Sequence, residues 1–207
     1  MTTCIEVGAN QGTDTDRFVE QYDRVFAFEP IHELYAKLCE KYKFNSQVHI
    51  FPFAIDIENS FKNFNISTGY DWGSSSLFDF NTKDILGGKW MPPDSEYGFR
   101  ADLAKDHSYT VPTITLYDFI TLYNISKIDY LHIDAQGNDI NVLKSLKDKL
   151  SIVQSGVIEV SCGLEIYLGT QNRVEDAIPF LNSNGFSITD SFTQTEGHEI
   201  NLFFKKK

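Results

Sequence analysis

The chain has 207 residues, of which 42% are hydrophobic and 23% charged, a composition typical of one globular domain and not of a disordered or fibrous protein. Its 18 basic and 29 acidic residues give a net charge of −11, so the average surface repels phosphate backbones and disfavours nucleic acid as a partner. No apolar run could span a membrane, the first residues do not resemble a signal peptide, and three widely spaced cysteines suit a reducing compartment. We therefore expect a single cytoplasmic domain over residues 1–207.

Short apolar runs alternate with segments of helical period along the chain. This pattern predicts an α/β fold with a doubly wound, mostly parallel sheet and helices on both faces. In the first third of the chain, the predicted elements are strands at 3–7, 25–28 and 47–53, helices over 14–21 and 34–42, and a hairpin arm over 56–66.

Residues 67–110 are rich in Gly, Ser, Asp and aromatic side chains and have weak periodicity. A loop of this length in a compact domain tends to be functional, so we expect an irregular insertion on the substrate side. After it, the predicted elements are strands at 111–114, 128–133, 156–160, 186–188 and 200–204, and helices over 116–122, from 138 onward, and around 174–181.

A glycine-bearing turn follows the first strand, in the stretch CIEVGANQG. Gly8 and Gly12 would let the backbone approach a ligand closely, and Asn10 tolerates a left-handed conformation. The alternative is a plain strand-to-helix turn. Glu6 decides between them, because a carboxylate inside an apolar strand needs a cationic or hydrogen-bonding partner. S-adenosylmethionine (SAM) offers an ammonium and a sulfonium, whereas an acid beside the turn would repel the phosphates of a nicotinamide cofactor.

A second acid, Glu29, ends the next strand, seventeen residues after Gly12. This is near the spacing at which dinucleotide-type folds place a carboxylate on a ribose diol, and we favour that role over a surface glutamate at a strand end. Ala54 and Ile55 follow the third predicted strand and could flank an adenine ring, with Asp56 near its exocyclic amine.

These residues resemble the FkbM-like methyltransferases, a family within the doubly wound SAM-dependent enzymes. The stretches that carry the resemblance are EVGANQG at 6–12, FAFEP at 26–30, SSSL at 74–77, TLYDFI at 115–120, IDYLHIDAQGND at 128–139 and VIEV at 157–160. The resemblance implies a seven-stranded sheet whose final strand is antiparallel, with SAM at the carboxyl ends of the strands. It also implies O-methylation of a sugar hydroxyl in a glycan or glycosylated metabolite, and it adds Pro30 to the cofactor residues.

Two positions depart from the usual family pattern, LKIDVEGAE. His132 stands at the lysine position and Gln136 at the glutamate position. Each change removes a charge near the expected reaction centre, which leaves detailed mechanism open. Because the chain begins almost directly on its first strand, we also expect it to be a domain of a larger glycan-assembly protein.

A sugar hydroxyl is a poor nucleophile until its proton leaves, so the reaction needs a positioned base or a metal. Asp134, at the end of the fourth strand of the core, is the candidate base; capping of the following helix is its alternative role. His132 and His107 are further candidate bases, and His132 could equally fill the core. Glu159 could join Asp134 as ligands of Mg²⁺ or Mn²⁺. The sequence does not decide between a metal ion and a general base.

Acceptor binding is expected in the irregular segment, where aromatic faces could pack on sugar rings. The candidate acceptor residues are Tyr70, Trp72, Ser75, Trp90 and Tyr97. Two other functions remain as alternatives. A nucleic-acid N-methyltransferase shares the fold but would carry an Asn-Pro-Pro-Tyr type of motif, which is absent here. The second alternative is a domain that binds cofactor or glycan without turnover.

Overall fold

A computed structural model of the chain describes residues 1–67, 72–86, 107–194 and 197–207. The strands are β1 (Thr3–Val7), β2 (Arg24–Phe28), β3 (Val48–Phe51), β4 (Ala54–Ile55), β5 (Ser60–Asn65), β6 (Ser108–Ile114), β7 (Tyr130–Ile133), β8 (Ser155–Ser161), β9 (Phe186–Thr193) and β10 (Glu199–Lys206). The helices are α1 (Thr13–Val19), α2 (His32–Tyr42), α3 (Thr82–Leu86), α4 (Leu116–Leu122), α5 (Asp139–Ser145) and α6 (Val174–Ser183), with a 3₁₀ helix over Lys147–Ile152. Within these ranges no helix combines the length and the apolar character needed to cross a membrane.

Seven strands form the main sheet, in the order β3-β2-β1-β7-β8-β10-β9. Strands β1, β2, β3, β7 and β8 pair in parallel, while β10 runs antiparallel to both β8 and β9. The order reverses direction at β1, which is the switch point where doubly wound folds bind their ligands. The predicted α/β fold with a mostly parallel seven-stranded sheet and an antiparallel final strand is confirmed.

Helices cover both faces of this sheet because the strand side chains alternate between two apolar cores. Ile5 and Val7 of β1 belong to the larger core, which includes apolar residues of α4, α5 and α6. Cys4 points the other way and packs with Phe18 of α1. Leu38 of α2 lies in a neighbouring cluster on that second face. The near-continuous apolar strands in the sequence follow from this burial on both faces.

A second sheet, which the sequence pattern did not predict, has the order β4-β6-β5. Strand β5 pairs antiparallel with β6, so Ser60 lies opposite Thr113, and β4 pairs in parallel with β6. The predicted hairpin arm over 56–66 is therefore wrong: its one strand finds its partner more than forty residues later in the chain. The partner strand β6 begins at Ser108, three residues before the predicted start at residue 111.

Candidate active site

A cavity of about 310 Å³ opens at the carboxyl ends of the central strands, where Val7, Phe28 and Asp134 line it. The small sheet contributes Ala54, Ile55 and Phe64 to its wall. Its place at the switch point agrees with the general rule for ligand sites in parallel sheets.

The glycine turn after β1 forms one side of the cavity. Gly8 has φ +89°, and a Cβ atom there would lie 2.0 Å from the backbone oxygen of Asp134. The Gly8 and Ala9 amides both donate to the carbonyl of Phe28, each at 3.0 Å. A residue with a side chain would therefore push the ends of β1 and β7 apart, which explains why glycine is needed at this position.

Asn10 and Gly12 complete the turn in different ways. Asn10 has φ +47° and lines the cavity. Its side-chain oxygen Oδ1 is buried and has no hydrogen-bond partner among the described residues, so it is an acceptor available to a ligand. Gly12 has φ +78° at the start of α1 and does not line the cavity. A Cβ atom there would lie 2.7 Å from Leu38, so this glycine serves helix packing.

Glu29 lies buried at the cavity edge, with 4% of its surface exposed. Its carboxylate oxygens accept the backbone N–H groups of Asn10, at 2.8 Å, and Ile31, at 2.7 Å. Burial raises the pKa of Glu29 to about 7, against the lowering effect of these two hydrogen bonds. The side chain thus joins the glycine turn to the end of β2 and presents oxygen acceptors to the cavity.

Glu6 does not line the cavity, contrary to the expected direct cofactor contact. Strand alternation turns it toward α1, where its carboxylate accepts a hydrogen bond of 2.6 Å from the Thr15 hydroxyl. Burial raises the pKa of Glu6 to about 8. The partner that a buried acid requires is therefore a hydroxyl from within the protein.

The two histidines proposed as bases also lie outside the cavity. His132 is the neighbour of Glu6 across the β1–β7 pair, and its ring centroid lies 5.3 Å from that of Phe18. Burial lowers the pKa of His132. It occupies the core on the α1 face, which was the alternative to a role as base. His107 is exposed, just before the first residue of β6.

Asp134 lies in the cavity wall within a network of carboxyl and amide groups. The Gln136 side-chain nitrogen donates to Asp134 Oδ1 and, at 2.9 Å, to Glu159 Oε2. Gln194 donates to Glu159 Oε1 at 2.8 Å. Burial raises the pKa of Asp134, while the hydrogen bond from Gln136 lowers it. These four side chains all line the cavity.

The proposed metal site at Asp134 and Glu159 finds no support in this geometry. The NH₂ group of Gln136 points at both carboxylates, and a positively polarised donor placed there opposes a cation. Within the described ranges, no group of three or more His, Cys, Asp or Glu side chains is arranged to hold a metal ion.

The other predicted residues divide into those that line the cavity, one that does not, and three that lie outside the described residues. Pro30, Ala54 and Ile55 line the cavity, as do Trp72 and Ser75. The Ser75 hydroxyl donates to the carbonyl of Trp72 at 2.7 Å, so it stabilises the local turn.

Asp56 is not among the lining residues, and Lys62 pairs with it at 2.6 Å, which occupies the carboxylate expected near an adenine amine. The predicted acceptor residues Tyr70, Trp90 and Tyr97 lie outside the described residues.

Among the cavity residues that could not be found from the sequence are two polar ones, Gln194 and Glu199, which come from either side of the β9–β10 connection. No local motif marks them. Only the antiparallel placement of β10 between β8 and β9 brings this connection to the carboxyl end of β8, so topology was the one signal that could have found them.

Several solved structures with a similar fold are described as methyltransferases. An rRNA methylase from Streptococcus thermophilus superposes with a TM-score of 0.53 at 8% identity, covering 100% of this chain and 87% of its own. The protein SMU.1697c from Streptococcus mutans, in complex with S-adenosylhomocysteine (SAH), has a TM-score of 0.53 at 11% identity and coverages of 100% and 89%. TrmK from M. capricolum, also with SAH, has a TM-score of 0.51 at 10% identity and coverages of 100% and 62%. No curated protein sequence matches the chain significantly.

The fold is that of the Rossmann-like class I methyltransferases. The Methyltransferase FkbM domain matches residues 6–188, so the chain belongs to this family and is a SAM-dependent methyltransferase. The cavity fits such a cofactor, because the unpartnered oxygen of Asn10 and the carboxylate of Glu29 are acceptors for ammonium and hydroxyl donors.

Proposed function

We propose that the protein methylates a sugar hydroxyl of a glycan or glycosylated metabolite. One observation carries this proposal: Glu29, Asp134, Glu159 and Glu199 line the cavity, and no Lys or Arg stands among the described lining residues. Carboxylate oxygens accept hydrogen bonds from sugar hydroxyls, whereas they repel the phosphates of a nucleic acid. The net charge of −11 acts in the same direction.

The cofactor residues follow from the cavity wall. We assign Asn10 Oδ1 to the ammonium group of SAM and Glu29 to the ribose hydroxyls, since both are hydrogen-bond acceptors on residues that line the cavity. Pro30, Ala54 and Ile55 supply apolar surface for the adenine. When bound, SAM supplies an electrophilic methyl group on a sulfonium.

Asp134 is the group we assign as general base. It lies in the cavity wall, and it would accept the proton that the sugar hydroxyl loses as its oxygen bonds to the methyl carbon. Burial raises the pKa of this carboxyl, which makes its ionised form a stronger base than an exposed aspartate. Because the Gln136 side-chain amide donates a hydrogen bond to each of the two carboxyl groups, we propose a route without a metal ion. Addition of EDTA is then expected to leave the rate unchanged.

The deciding experiment compares wild type, Asp134→Asn and the control Asp190→Asn, whose position on β9 is exposed. SAH affinity is measured by calorimetry, and methyl transfer to a panel of sugars, glycans, tRNA and rRNA is followed by mass spectrometry. We expect similar SAH affinity in all three, methylation of a sugar by wild type and the control, and loss of at least a hundredfold in rate for Asp134→Asn.

Methylation of RNA with none of any sugar would overturn the acceptor assignment in favour of the nucleic-acid alternative. SAH binding without transfer to any acceptor would favour a non-catalytic domain. Full activity in Asp134→Asn would remove Asp134 from the mechanism, and a loss of activity on chelation would restore the metal hypothesis. The cytoplasmic location and the extent of the domain over residues 1–207 stay predictions from the sequence.

A further inference from the structure

We propose that Gln136 is a positioning residue, whose side-chain amide holds the carboxylates of Asp134 and Glu159 in the orientation that methyl transfer requires. This inference rests on the proposed role of Asp134 as base. The amide nitrogen carries two hydrogens, and the structure gives it two acceptors, one oxygen from each carboxyl group. Gln136 therefore uses its complete donor capacity on the reaction site.

The oxygen end of this amide faces Tyr167, which is buried with 4% exposed. The Tyr167 hydroxyl donates to Gln136 Oε1 and, at 3.2 Å, to the Ser74 carbonyl oxygen. The two carboxyl groups at the other end determine the orientation of the amide. A flipped amide would direct its oxygen at two carboxylates and its NH₂ group at the tyrosine. That arrangement would replace two charge-assisted hydrogen bonds by repulsion between oxygens.

The backbone of Gln136 is held as firmly as its side chain. The residue has φ +48°, and the Ser76 hydroxyl donates to its carbonyl at 2.6 Å. The next residue, Gly137, lies so close to the Tyr167 ring that a Cβ atom would approach it to 2.9 Å. A strained conformation persists only where its surroundings determine it, and such positions concentrate at functional sites.

A glutamate, the residue of the usual family pattern, would not do the same. A glutamate at position 136 has no N–H donor, and when ionised it would add a third negative charge beside Asp134 and Glu159. A protonated glutamate could donate one hydrogen bond but not two. The change from an acid to an amide at this position therefore has a structural meaning: it supplies a hydrogen-bond donor to each of the two acids.

The test uses the full chain and four variants: Gln136→Met, Tyr167→Phe, Asp134→Asn and the control Tyr109→Phe. The control removes a tyrosine hydroxyl that accepts from the His32 amide and is outside the network. Each is assayed for SAH affinity by calorimetry, and for kcat and KM with the acceptor that the panel identifies. The Gln136 side-chain NH₂ signals are assigned by NMR from their loss in Gln136→Met.

We expect the wild-type NH₂ group to give two separate signals protected from hydrogen exchange, which collapse toward free-amide values in Asp134→Asn and broaden in Tyr167→Phe. SAH affinity should stay within about threefold. Because misplacing a reacting group by about 1 Å can cost about a hundredfold, kcat should fall about a hundredfold in Gln136→Met and about tenfold in Tyr167→Phe, with KM little changed and the control like wild type.

Wild-type kcat in Gln136→Met would overturn the inference, as would a tenfold loss of SAH affinity, which would make Gln136 part of the cofactor site. Exchange-labile NH₂ signals in the wild type would also overturn it. If no acceptor on the panel is methylated, the proposed function fails, and the NMR measurement then decides separately whether Gln136 holds the two carboxyls.

Discussion

Replacement of Gly8 by alanine should damage the cofactor site more than the fold in general. Its φ of +89° costs an L-residue about 1–2 kcal/mol. In addition, the new Cβ would lie 2.0 Å from the Asp134 carbonyl oxygen, whereas ordinary contact begins at 3.4 Å. The backbones of the turn and of β7 must therefore separate by more than 1 Å at the point where cofactor and acceptor residues meet.

Gly185 provides a matched control, because its φ is +85° and a Cβ atom there would meet nothing within 4 Å. Urea unfolding should show a loss of about 1 kcal/mol for Gly185→Ala and about 3 kcal/mol for Gly8→Ala. Calorimetry should show unchanged SAH affinity for Gly185→Ala and at least a tenfold loss, about 1.4 kcal/mol, for Gly8→Ala. Equal effects of the two substitutions on stability, or wild-type SAH affinity in Gly8→Ala, would refute the argument from the close backbone approach.

Three further substitutions test the buried charges. The folded-state pKa of Glu6 is about 8 against an ordinary 4.5, so between these values the folded protein keeps a proton that the unfolded chain releases, and stability falls as pH rises. The unfolding free energy of Glu6→Gln, measured in urea, should therefore match that of wild type at pH 4.5 and exceed it by a few kcal/mol at pH 8.5. If the two proteins were equally stable at both pH values, the raised pKa of Glu6 would be contradicted. Glu29→Gln keeps only one acceptor oxygen for two backbone donors and should weaken SAH binding at least tenfold by calorimetry. Wild-type SAH affinity in this variant would show that Glu29 has no part in the site. Lys62→Met leaves the buried Asp56 carboxylate without its ion pair and should lower the unfolding free energy by about 2 kcal/mol. An unchanged unfolding free energy would show that the hydrogen bonds from Ile57 and Asn138 suffice to stabilise this carboxylate.

Local patterns determined the elements that satisfy their own hydrogen bonds or bury a continuous apolar run. Strand β1 and helix α4 lie where the sequence predicted them, at Thr3–Val7 and Leu116–Leu122. Helix α4 is stabilised at its start by Thr115, whose hydroxyl accepts the Asp118 amide at 3.1 Å, a cap contained within four residues. The left-handed conformation of Asn10 in the glycine turn was also predicted correctly, with φ +47°, because few residue types tolerate such a backbone.

Long-range contacts were beyond such reasoning. The partner of β5 is a strand more than forty residues away, and residues 60–65 carry no signal that distinguishes this pairing from a local hairpin. Gln194 and Glu199 reach the cavity only because β10 inserts between β8 and β9.

Glu6 illustrates the same division within a single residue. The sequence by itself determined that a buried acid there needs a partner, since the cost of an unpaired carboxylate is a property of the residue and its apolar strand. Only the tertiary structure decided that this partner is Thr15. The physical reason is that side chains alternate along β1, and the elements that cover each face of the strand come from distant parts of the chain.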